Sequence, residues 1–475
     1  MSSSYLFYDL ETSGLNPAED RIMQFAGIRT DKKLNIIGEP FDFLIKLSSD
    51  VLPSIDAILI TGITPQMAIS NGLSEAEFLD IFHSQIALPE TVFVGYNSVA
   101  FDDEFIRYMN FRNFYDPYEW HYLDGKRRMD LLDVVRATRA LRPSDVNWPV
   151  DSKGKPTNSL GAITKANNIE HTTAHSALGD VKALVQVATL ICQKQPKLFD
   201  YMVKNMSDKT AATKLLSSNK PALYTFGWYP DEFNKTTAVI YIATTQAKSQ
   251  LVFDLRQSPK NFAEKNEDSL YNDYLNQKSS DLPFPLFNIK SNRCPALAPI
   301  NVLDKDSQIR IKLDMKTIET NLEIFNKFKS QIIKKAKVVF KKIDDSRQNK
   351  NNISVDSNLY QSFIPDQDKL NLKKFRSIPS SEIASGKKYF KDERLNKLIL
   401  LYKAHNYPRA LTSEESTMYE SYRNQKLFGG GLDSQLNKFL LKLQELSQLE
   451  NSSKTQRYIL EELKLYAESI LPLDI

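Results

Sequence analysis

Cysteine is scarce in this sequence, since only Cys192 and Cys294 occur among its 475 residues. The two thiols have no metal-ligand spacing and cannot build a framework of disulfides. A thiolate zinc module and a disulfide-stabilised secreted domain are therefore excluded. A reducing compartment is the environment that such a chain fits.

Long apolar runs are also missing. No stretch approaches the ~20 consecutive apolar residues that a membrane-spanning helix needs. The first residues lead almost directly into an apolar strand, and they contain neither a basic region nor a cleavable apolar segment. We therefore expect a cytoplasmic protein without a membrane partner.

The chain is long, and its charged residues are distributed unevenly along it. At 475 residues it exceeds one ordinary core, so two or three domains are expected, and its 41% hydrophobic and 25% charged content is that of a soluble globular protein. Residues 1–200 carry 19 Lys and Arg against 26 Asp and Glu, whereas residues 201–475 carry 43 against 32. The basic second part suits a polyanionic partner, although compositional drift in a chain rich in Lys and Asn gives the same asymmetry.

Hydrophobic periodicity divides the chain into three parts. Residues 1–200 alternate between strand-like segments (5–10, 22–30, 35–46 and 91–95) and helix-like segments (74–87, 101–110, 130–141 and 176–193), as in an α/β domain. Residues 201–346 are β-rich, 347–357 read as a polar linker, and 358–475 repeat apolar residues at helical spacing. The sequence thus predicts an α/β domain, a small β-rich domain and an all-α C-terminal domain.

Two acids in the first predicted strand are the most informative feature. Asp9 and Glu11 stand two apart in an apolar, aromatic run, so their side chains share one face of the strand. Burying two like charges side by side is costly unless cations neutralise them, and a pair of divalent metal ions does so. The alternative is a strand end whose acids are merely solvated.

Three further residues extend this pair. Asp102 follows the apolar run 91–96, and His175 precedes Asp180 by five positions at the start of a predicted helix. Five helical residues advance about 500°, so the histidine is expected on the loop before the helix, where its usual pKa near ~6.5 suits a general base. Asp103 and Glu104 compete with Asp102, and we interpret them as charges that favour a helix N-terminus.

This set of four acids and one histidine resembles the DEDDh exonuclease superfamily. The resemblance is closer to the bacterial exodeoxyribonuclease I family, and it is carried by residues 60–65, 95–97, 112–118, 130–133, 140–143, 164–171 and 198–201. It implies an RNase H-like fold for residues 1–200 and an SH3-like fold for residues 201–346. It also implies that Asp9, Glu11, Asp102 and Asp180 hold two Mg²⁺ ions, with Mn²⁺ as a substitute, and that His175 is the base.

The family resemblance implies a processive 3′-to-5′ exonuclease that degrades single-stranded DNA to 5′-mononucleotides in DNA repair and recombination. Two alternatives remain at this point, namely an RNase of the same superfamily that trims RNA 3′ ends and a non-catalytic single-strand-binding protein. The resemblance further implies a monomer that binds the acidic C-terminal tail of single-strand-binding protein, with Arg142 and Tyr201 as candidate contacts.

Substrate contacts are expected from the turn after the acid pair, from a loop near residue 61, and from an aromatic and basic run. Amides of the turn can hold the terminal nucleotide, and rings interleaved with cations bind single strands. Ser159 stands where the family carries a nucleotide-contacting Arg, and nine Lys and Arg between Lys327 and Lys350 mark either a DNA channel or a solvated face. The candidate substrate residues are Glu11, Thr12, Ser13, Gly14, Thr61, Gly62, Asn97, Arg107, Tyr118, Trp120 and Tyr122.

Overall fold

The structure is a computed structural model that describes residues 3–171, 176–277, 282–347, 355–449 and 453–471. It contains two five-stranded sheets and a helical C-terminal region. None of the helices in these ranges is long and apolar enough to cross a membrane.

The first sheet is mixed and has the order β3-β2-β1-β4-β5. Strand β1 lies at its centre because its apolar residues pack on both faces, and it pairs antiparallel with β2 and parallel with β4. The strands are β1 (Ser4–Thr12), β2 (Ile22–Thr30), β3 (Phe41–Leu44), β4 (Thr91–Gly95) and β5 (Arg127–Asp130).

Helices cover both faces of this sheet. The longest of them packs on β1 and β2 with an apolar face that belongs to the main core. The helices are α1 (Ile55–Thr61), α2 (Pro65–Asn71), α3 (Glu75–Ile81), α4 (Asp102–Arg112), α5 (Leu131–Leu141), α6 (Leu160–Ala166), α7 (Ala177–Lys194) and α8 (Pro196–Met206), with a π-helical turn at Phe82–Ile86 and 3₁₀ turns at Glu119–His121 and Leu123–Gly125.

The second sheet is antiparallel throughout and has the order β10-β6-β7-β8-β9. Its strands are β6 (Ala222–Thr225), β7 (Thr236–Thr244), β8 (Gln250–Asp254), β9 (Leu286–Ile289) and β10 (Ala296–Pro299). The helices of this region are α9 (Lys209–Ser217), α10 (Pro259–Glu264), α11 (Glu267–Leu275), α12 (Lys305–Arg310), α13 (Met315–Lys327) and α14 (Lys329–Arg347), with 3₁₀ turns at Asp231–Phe233, Ser291–Arg293 and Ile300–Val302.

The C-terminal region is helical, and its apolar faces pack on the first region as well as on each other. Its helices are α15 (Asp366–Arg376), α16 (Glu393–Asn406), α17 (Ser413–Phe428), α18 (Gln435–Ser447) and α19 (Lys454–Ser469), with 3₁₀ turns at Val355–Gln361, Ser380–Glu382, Pro408–Ala410 and Gly431–Asp433.

The predicted fold class is confirmed in all three parts, but several details differ. The expected strand at 35–46 is reduced to β3, and the expected boundary at residue 200 falls inside α8. That helix is continuous because Phe199, Met202 and Met206 bury one face in the first core. Most of the expected linker, residues 348–354, lies outside the described residues.

Candidate active site

The centre of the site is the end of β1. Asp9 lies opposite Ala26 and Glu11 lies opposite Gln24 on β2, so both acids point to the same face, as the strand spacing predicted. One carboxylate oxygen from each of Asp9, Glu11 and Asp180 lies within 4.8 Å of the other two.

Two helix starts bring the remaining acids to this strand end. Asp180 lies in the first turn of α7, and Asp102 is the first residue of α4. Asp102 is buried, and its charge is the strongest of the charged influences on the pKa of Asp9. The structure therefore gathers the four predicted acids, although only three of them are close enough to share one ion directly.

The electrostatics of the cluster show an excess of negative charge. Burial, together with the charges of Asp102 and Glu11, raises the pKa of Asp9 well above its usual range. Burial and the charge of Asp180 raise the pKa of Glu11 to about 8. The donors are carboxylate oxygens, which fit hard divalent cations such as Mg²⁺, and a bound cation would compensate the like charges.

Two histidines shortly precede Asp180 in the sequence, and the structure describes one of them. His175, the predicted general base, lies outside the described residues. His171, which was interpreted as an ordinary solvated or core histidine, places its Nε2 atom 2.5 Å from Oδ1 of Asp180. Its Nδ1 atom lies 3.3 Å from Oγ1 of Thr164, so the ring is held from both sides. Only its position nine residues before Asp180 could have marked it, and that spacing alone predicts no contact.

The interpretation of Asp103 and Glu104 as charges at a helix N-terminus is confirmed, since both lie in the first turn of α4, but each acid also has specific side-chain partners. Asp103 is fully buried, accepts a hydrogen bond of 2.5 Å from the Tyr8 hydroxyl, and pairs with Arg128. Glu104 is also buried, and its Oε1 atom accepts a hydrogen bond of 2.5 Å from Nη1 of Arg107. Both acids hold structure around Asp102, Asp103 through partners from β1 and β5 and Glu104 through a residue of its own helix.

The turn after the acid pair is built differently from the expectation. Ser13 is fully buried, and its N–H donates to the Arg21 carbonyl at 2.9 Å, so this amide is not available to a nucleotide. Thr12 is buried too, and its hydroxyl donates to the Gly14 carbonyl at 2.7 Å. A Cβ atom at Gly14 would lie 2.4 Å from the Asp20 carboxylate, which explains the glycine by close packing.

A cavity of about 460 Å³ opens beside the acids. Thr61 and Gly62, the two residues expected to contact the substrate, line it, and Gln24, the strand neighbour of Glu11, lines it as well. Ser176, the residue before α7, lines the side towards Asp180. The cavity thus lies next to the cluster, where a terminal nucleotide would enter.

The aromatic and basic run is divided between surface and core. Tyr122 is 44% exposed, with the Lys209 ammonium 5.7 Å from its ring centroid, whereas Trp120 is fully buried. Trp120 packs edge-to-face on Phe93 at 5.0 Å, so the prediction that it stacks on a base is wrong.

The other members of this run lie between these extremes. Tyr118 is half-buried, and its ring stands 6.0 Å from that of Phe363, which is 81% exposed. The Arg107 guanidinium lies 5.7 Å from the Tyr118 ring centroid and is buried. Asn97 is exposed in a left-handed conformation that its N–H stabilises by donating to Asp130.

A second cavity, of about 560 Å³, lies where α8 meets the region that contains the second sheet, called the second region below. Arg142 and Tyr201 both line it, among apolar residues such as Leu198 and Met202. The Arg142 guanidinium donates to the Val302 carbonyl at 2.9 Å and to Asp304 at 3.1 Å. This cavity combines an apolar floor with a fixed cation at its edge.

Comparisons with known proteins agree with this architecture. Family models match residues 6–188 (Exonuclease), 207–342 (Exonuclease I SH3-like domain) and 353–470 (Exonuclease I C-terminal domain). Exodeoxyribonuclease I of Haemophilus influenzae is 36% identical over 479 residues, which cover 98% of this chain and 99% of that protein.

Solved structures give the same result. Escherichia coli exonuclease I in complex with a dA16 oligonucleotide matches with a TM-score of 0.92 and 34% identity, covering 99% of this chain and 100% of that one. A structure of SSB/exonuclease I with the inhibitor CFAM matches with a TM-score of 0.89, 34% identity and the same coverage.

Proposed function

This chain belongs to the exodeoxyribonuclease I family, and on that premise we propose that it degrades single-stranded DNA from the 3′ end at the acid cluster of β1. The observation that carries the proposal is the convergence of Asp9, Glu11 and Asp180 within 4.8 Å, with Asp102 beside them. The products are 5′-mononucleotides, because water attacks the last phosphate and the bond to the 3′ oxygen of the preceding nucleotide breaks, so that the phosphate leaves with the terminal nucleoside.

We assign Asp9, Glu11, Asp102 and Asp180 as the residues that hold two Mg²⁺ ions, with Mn²⁺ as a substitute. When bound, two such ions would activate water and stabilise the developing charge of the leaving oxygen. The chain contributes a rigid frame, since Asp9 and Glu11 are fixed by strand pairing and the other two acids begin helices.

His175 is proposed as the general base that takes the proton from the attacking water. Its place in the sequence, five residues before Asp180 and two before the first residue of α7, supports this role. His171 has another role, since its contact with Asp180 fixes the orientation of that carboxylate.

We propose that the terminal nucleotide occupies the cavity lined by Thr61 and Gly62. The strand then continues past Asn97 and over the exposed part of the aromatic run. Tyr118 and Tyr122 supply rings for stacking there, and Lys209 supplies a cation. Arg107 acts behind Tyr118 rather than as a free phosphate contact, because its guanidinium is buried.

The cavity of Arg142 and Tyr201 is the proposed site for the acidic C-terminal tail of SSB. A terminal carboxylate and apolar side chains match a fixed guanidinium beside an apolar floor. Arg142→Ala should weaken binding of an acidic tail peptide while leaving hydrolysis of free DNA unchanged. We also propose that the protein acts as a monomer, because the residues assigned to catalysis all belong to residues 1–200 of one chain.

The experiment that tests the function offers end-labelled single-stranded DNA, duplex DNA and RNA side by side with Mg²⁺. We expect stepwise shortening of single-stranded DNA from the 3′ end, with little hydrolysis of the duplex. Preferred hydrolysis of RNA would favour a trimming RNase, and binding without hydrolysis would favour a non-catalytic protein.

A further inference from the structure

Glu104, two residues after Asp102 on α4, is the point at which the three regions of the chain meet. Its carboxylate accepts a hydrogen bond from Arg107 of its own helix at 2.5 Å. It also pairs with Nη2 of Arg293, from the second region, at 2.8 Å. The hydroxyl of Tyr360, from the C-terminal region, donates to its other oxygen. A single carboxylate in the first turn of α4 therefore contacts both accessory regions.

The 3₁₀ turn Ser291–Arg293 and the following Cys294 make further contacts with the same helix start. Nη1 of Arg293 donates to the Val99 carbonyl at 2.8 Å, in the loop that leads into α4. Cys294, which has a left-handed backbone with φ 49°, places its buried thiol 3.4 Å from the Arg128 carbonyl. The turn thus lies against the segments on both sides of Asp102.

Arg128 continues this connection inside the first region. Its guanidinium donates to the Asn292 carbonyl at 2.7 Å and pairs with the buried Asp103. Asp103 also accepts from Tyr8, the residue directly before Asp9 on β1. One chain of contacts therefore runs from the second region, through Arg128 and Asp103, to the strand that carries the first metal-binding acid.

We propose that the segment Ser291–Cys294 of the SH3-like region is a positioning element for Asp102, so that the metal site is complete only when this region is docked. The proposal rests on the metal site assigned above. A helix start held by its own N-cap would need no such support, but Phe101 at that position has no capping side-chain bond. The N–H of Asp103 donates to the Ser98 carbonyl at 2.9 Å instead, and Arg293 and Arg128 hold the first turn through their contacts with Val99, Asp103 and Glu104.

The consequence is that the second region does more than enclose the DNA. If Arg293 is lost, α4 keeps its fold through its buried apolar residues, but its first turn loses two of its fixed points. Asp102 then samples positions away from the metals. Residues behind metal ligands typically change metal affinity by about 10- to 100-fold, and we expect about tenfold here because Arg293 acts through Glu104 and Val99.

The test measures Mn²⁺ binding to the full-length protein in the absence of DNA, by calorimetric titration. Arg293→Met should weaken Mn²⁺ binding by about tenfold, and Arg293→Lys should restore part of the loss because it keeps the ion pair. Lys290→Met is the matched control, since it removes an exposed cation just before the same turn and should leave Mn²⁺ binding unchanged.

One further readout separates this role from a direct contact with DNA. Binding of single-stranded DNA in EDTA should change equally in Arg293→Met and Lys290→Met, because each loses one cation. If Arg293→Met binds Mn²⁺ like the wild type and loses only DNA affinity, Arg293 is a phosphate contact and the proposal is wrong.

The titration of the wild-type protein tests the metal assignment, and a second variant tests the proposal if Arg293→Met does not fold. If wild-type protein binds no Mn²⁺ while hydrolysing DNA, the metal assignment itself fails. Should Arg293→Met fail to fold, Tyr8→Phe tests the same connection from the other end, by removing one donor to Asp103. Unchanged Mn²⁺ affinity in Tyr8→Phe and Arg293→Lys would then overturn the proposal.

Discussion

The acid cluster of the site and the charge network between the first and C-terminal regions both bury carboxylates, but their neighbours differ. In the network, Lys426 lies 2.7 Å and His405 2.9 Å from the carboxylate oxygens of Asp50. Beside them, Arg21 pairs with Asp356 at 2.5 Å. In the site, the charged groups that most affect the pKa of Asp9 are three other acids, Asp102, Glu11 and Asp180.

The pKa values follow this difference. Burial alone would raise the pKa of Asp50, but Lys426 and His405 hold it well below the usual range. Burial and neighbouring acids instead raise the pKa of Asp9 well above that range. The network carries its own cations and serves to join two regions, whereas the site requires cations from solution. A buried acid therefore indicates metal binding only when its neighbours leave its negative charge uncompensated.

The largest expected effect is in the site. Asp9→Ala or Asp180→Asn should abolish Mg²⁺-dependent hydrolysis, because each removes a ligand that no neighbouring group replaces. The metal-free variants should be at least as stable as the wild type, since a like charge has been removed. Nuclease assays and thermal melts in EDTA measure both, with the exposed Glu39→Ala as control. Substantial hydrolysis by either variant would contradict the assignment.

The histidines give the next effect. His175→Ala should lower turnover by about 10²- to 10⁴-fold, the range for loss of a general base, while DNA binding and stability stay near wild type. His405→Ala should do the opposite, because it removes a partner of Asp50 and leaves the site intact. Normal turnover of His175→Ala at neutral pH would show that another group takes the proton.

Measurements of stability test the contribution of the charge network around Asp50. Asp50→Asn should lower the free energy of unfolding by about 3–5 kcal/mol, because it leaves Lys426, whose side chain is 12% exposed, with only the more distant carboxylate of Asp356 at 3.9 Å. The matched control is Asp56→Asn, which breaks an exposed pair with Lys442 and should cost about 0–1 kcal/mol. Urea unfolding measures both. Equal losses in the two variants would mean that the network is no stronger than a surface pair.

The pH dependence of stability should have opposite signs in the two places. Folded, metal-free protein keeps the Glu11 proton up to about pH 8, whereas unfolded Glu loses it near 4.5, so stability should fall as pH rises between these values. The depressed pKa of Asp50 contributes stability that is lost only in acid. Thermal melts in EDTA should show that stability falls between about pH 4.5 and pH 8 in the wild type and falls less in Glu11→Gln. An identical profile in the two proteins would be evidence against the raised pKa of Glu11.

Much of the fold followed from the sequence because its signals are local. The apolar run around Asp9, the helical period after Asp180 and the β-rich middle each predict their element from neighbouring residues. Strand β5 was missed, since Arg127–Asp130 is mostly charged. Its Arg128 can be buried only because Asp103 compensates it from another element, and no local pattern shows that pairing.

The candidate site was predictable to a similar depth. The strand period places Asp9 with Glu11, and the resemblance to a known family supplied Asp102 and Asp180. Contacts between distant segments were out of reach, which is why the role of Glu104 was missed. Trp120 was misjudged for a related reason, because an aromatic residue in a polar run can turn either to solvent or to the core.

The central claim is that the acids of β1 lack cations until a divalent metal binds. The most direct test is calorimetric titration of full-length, DNA-free protein with Mg²⁺ in two buffers that differ in heat of ionisation. We predict that binding near neutral pH releases protons and that Glu11→Gln releases fewer, because Glu11 holds a proton with a pKa of about 8. Metal binding with no proton release, in wild type and variant alike, would contradict the account.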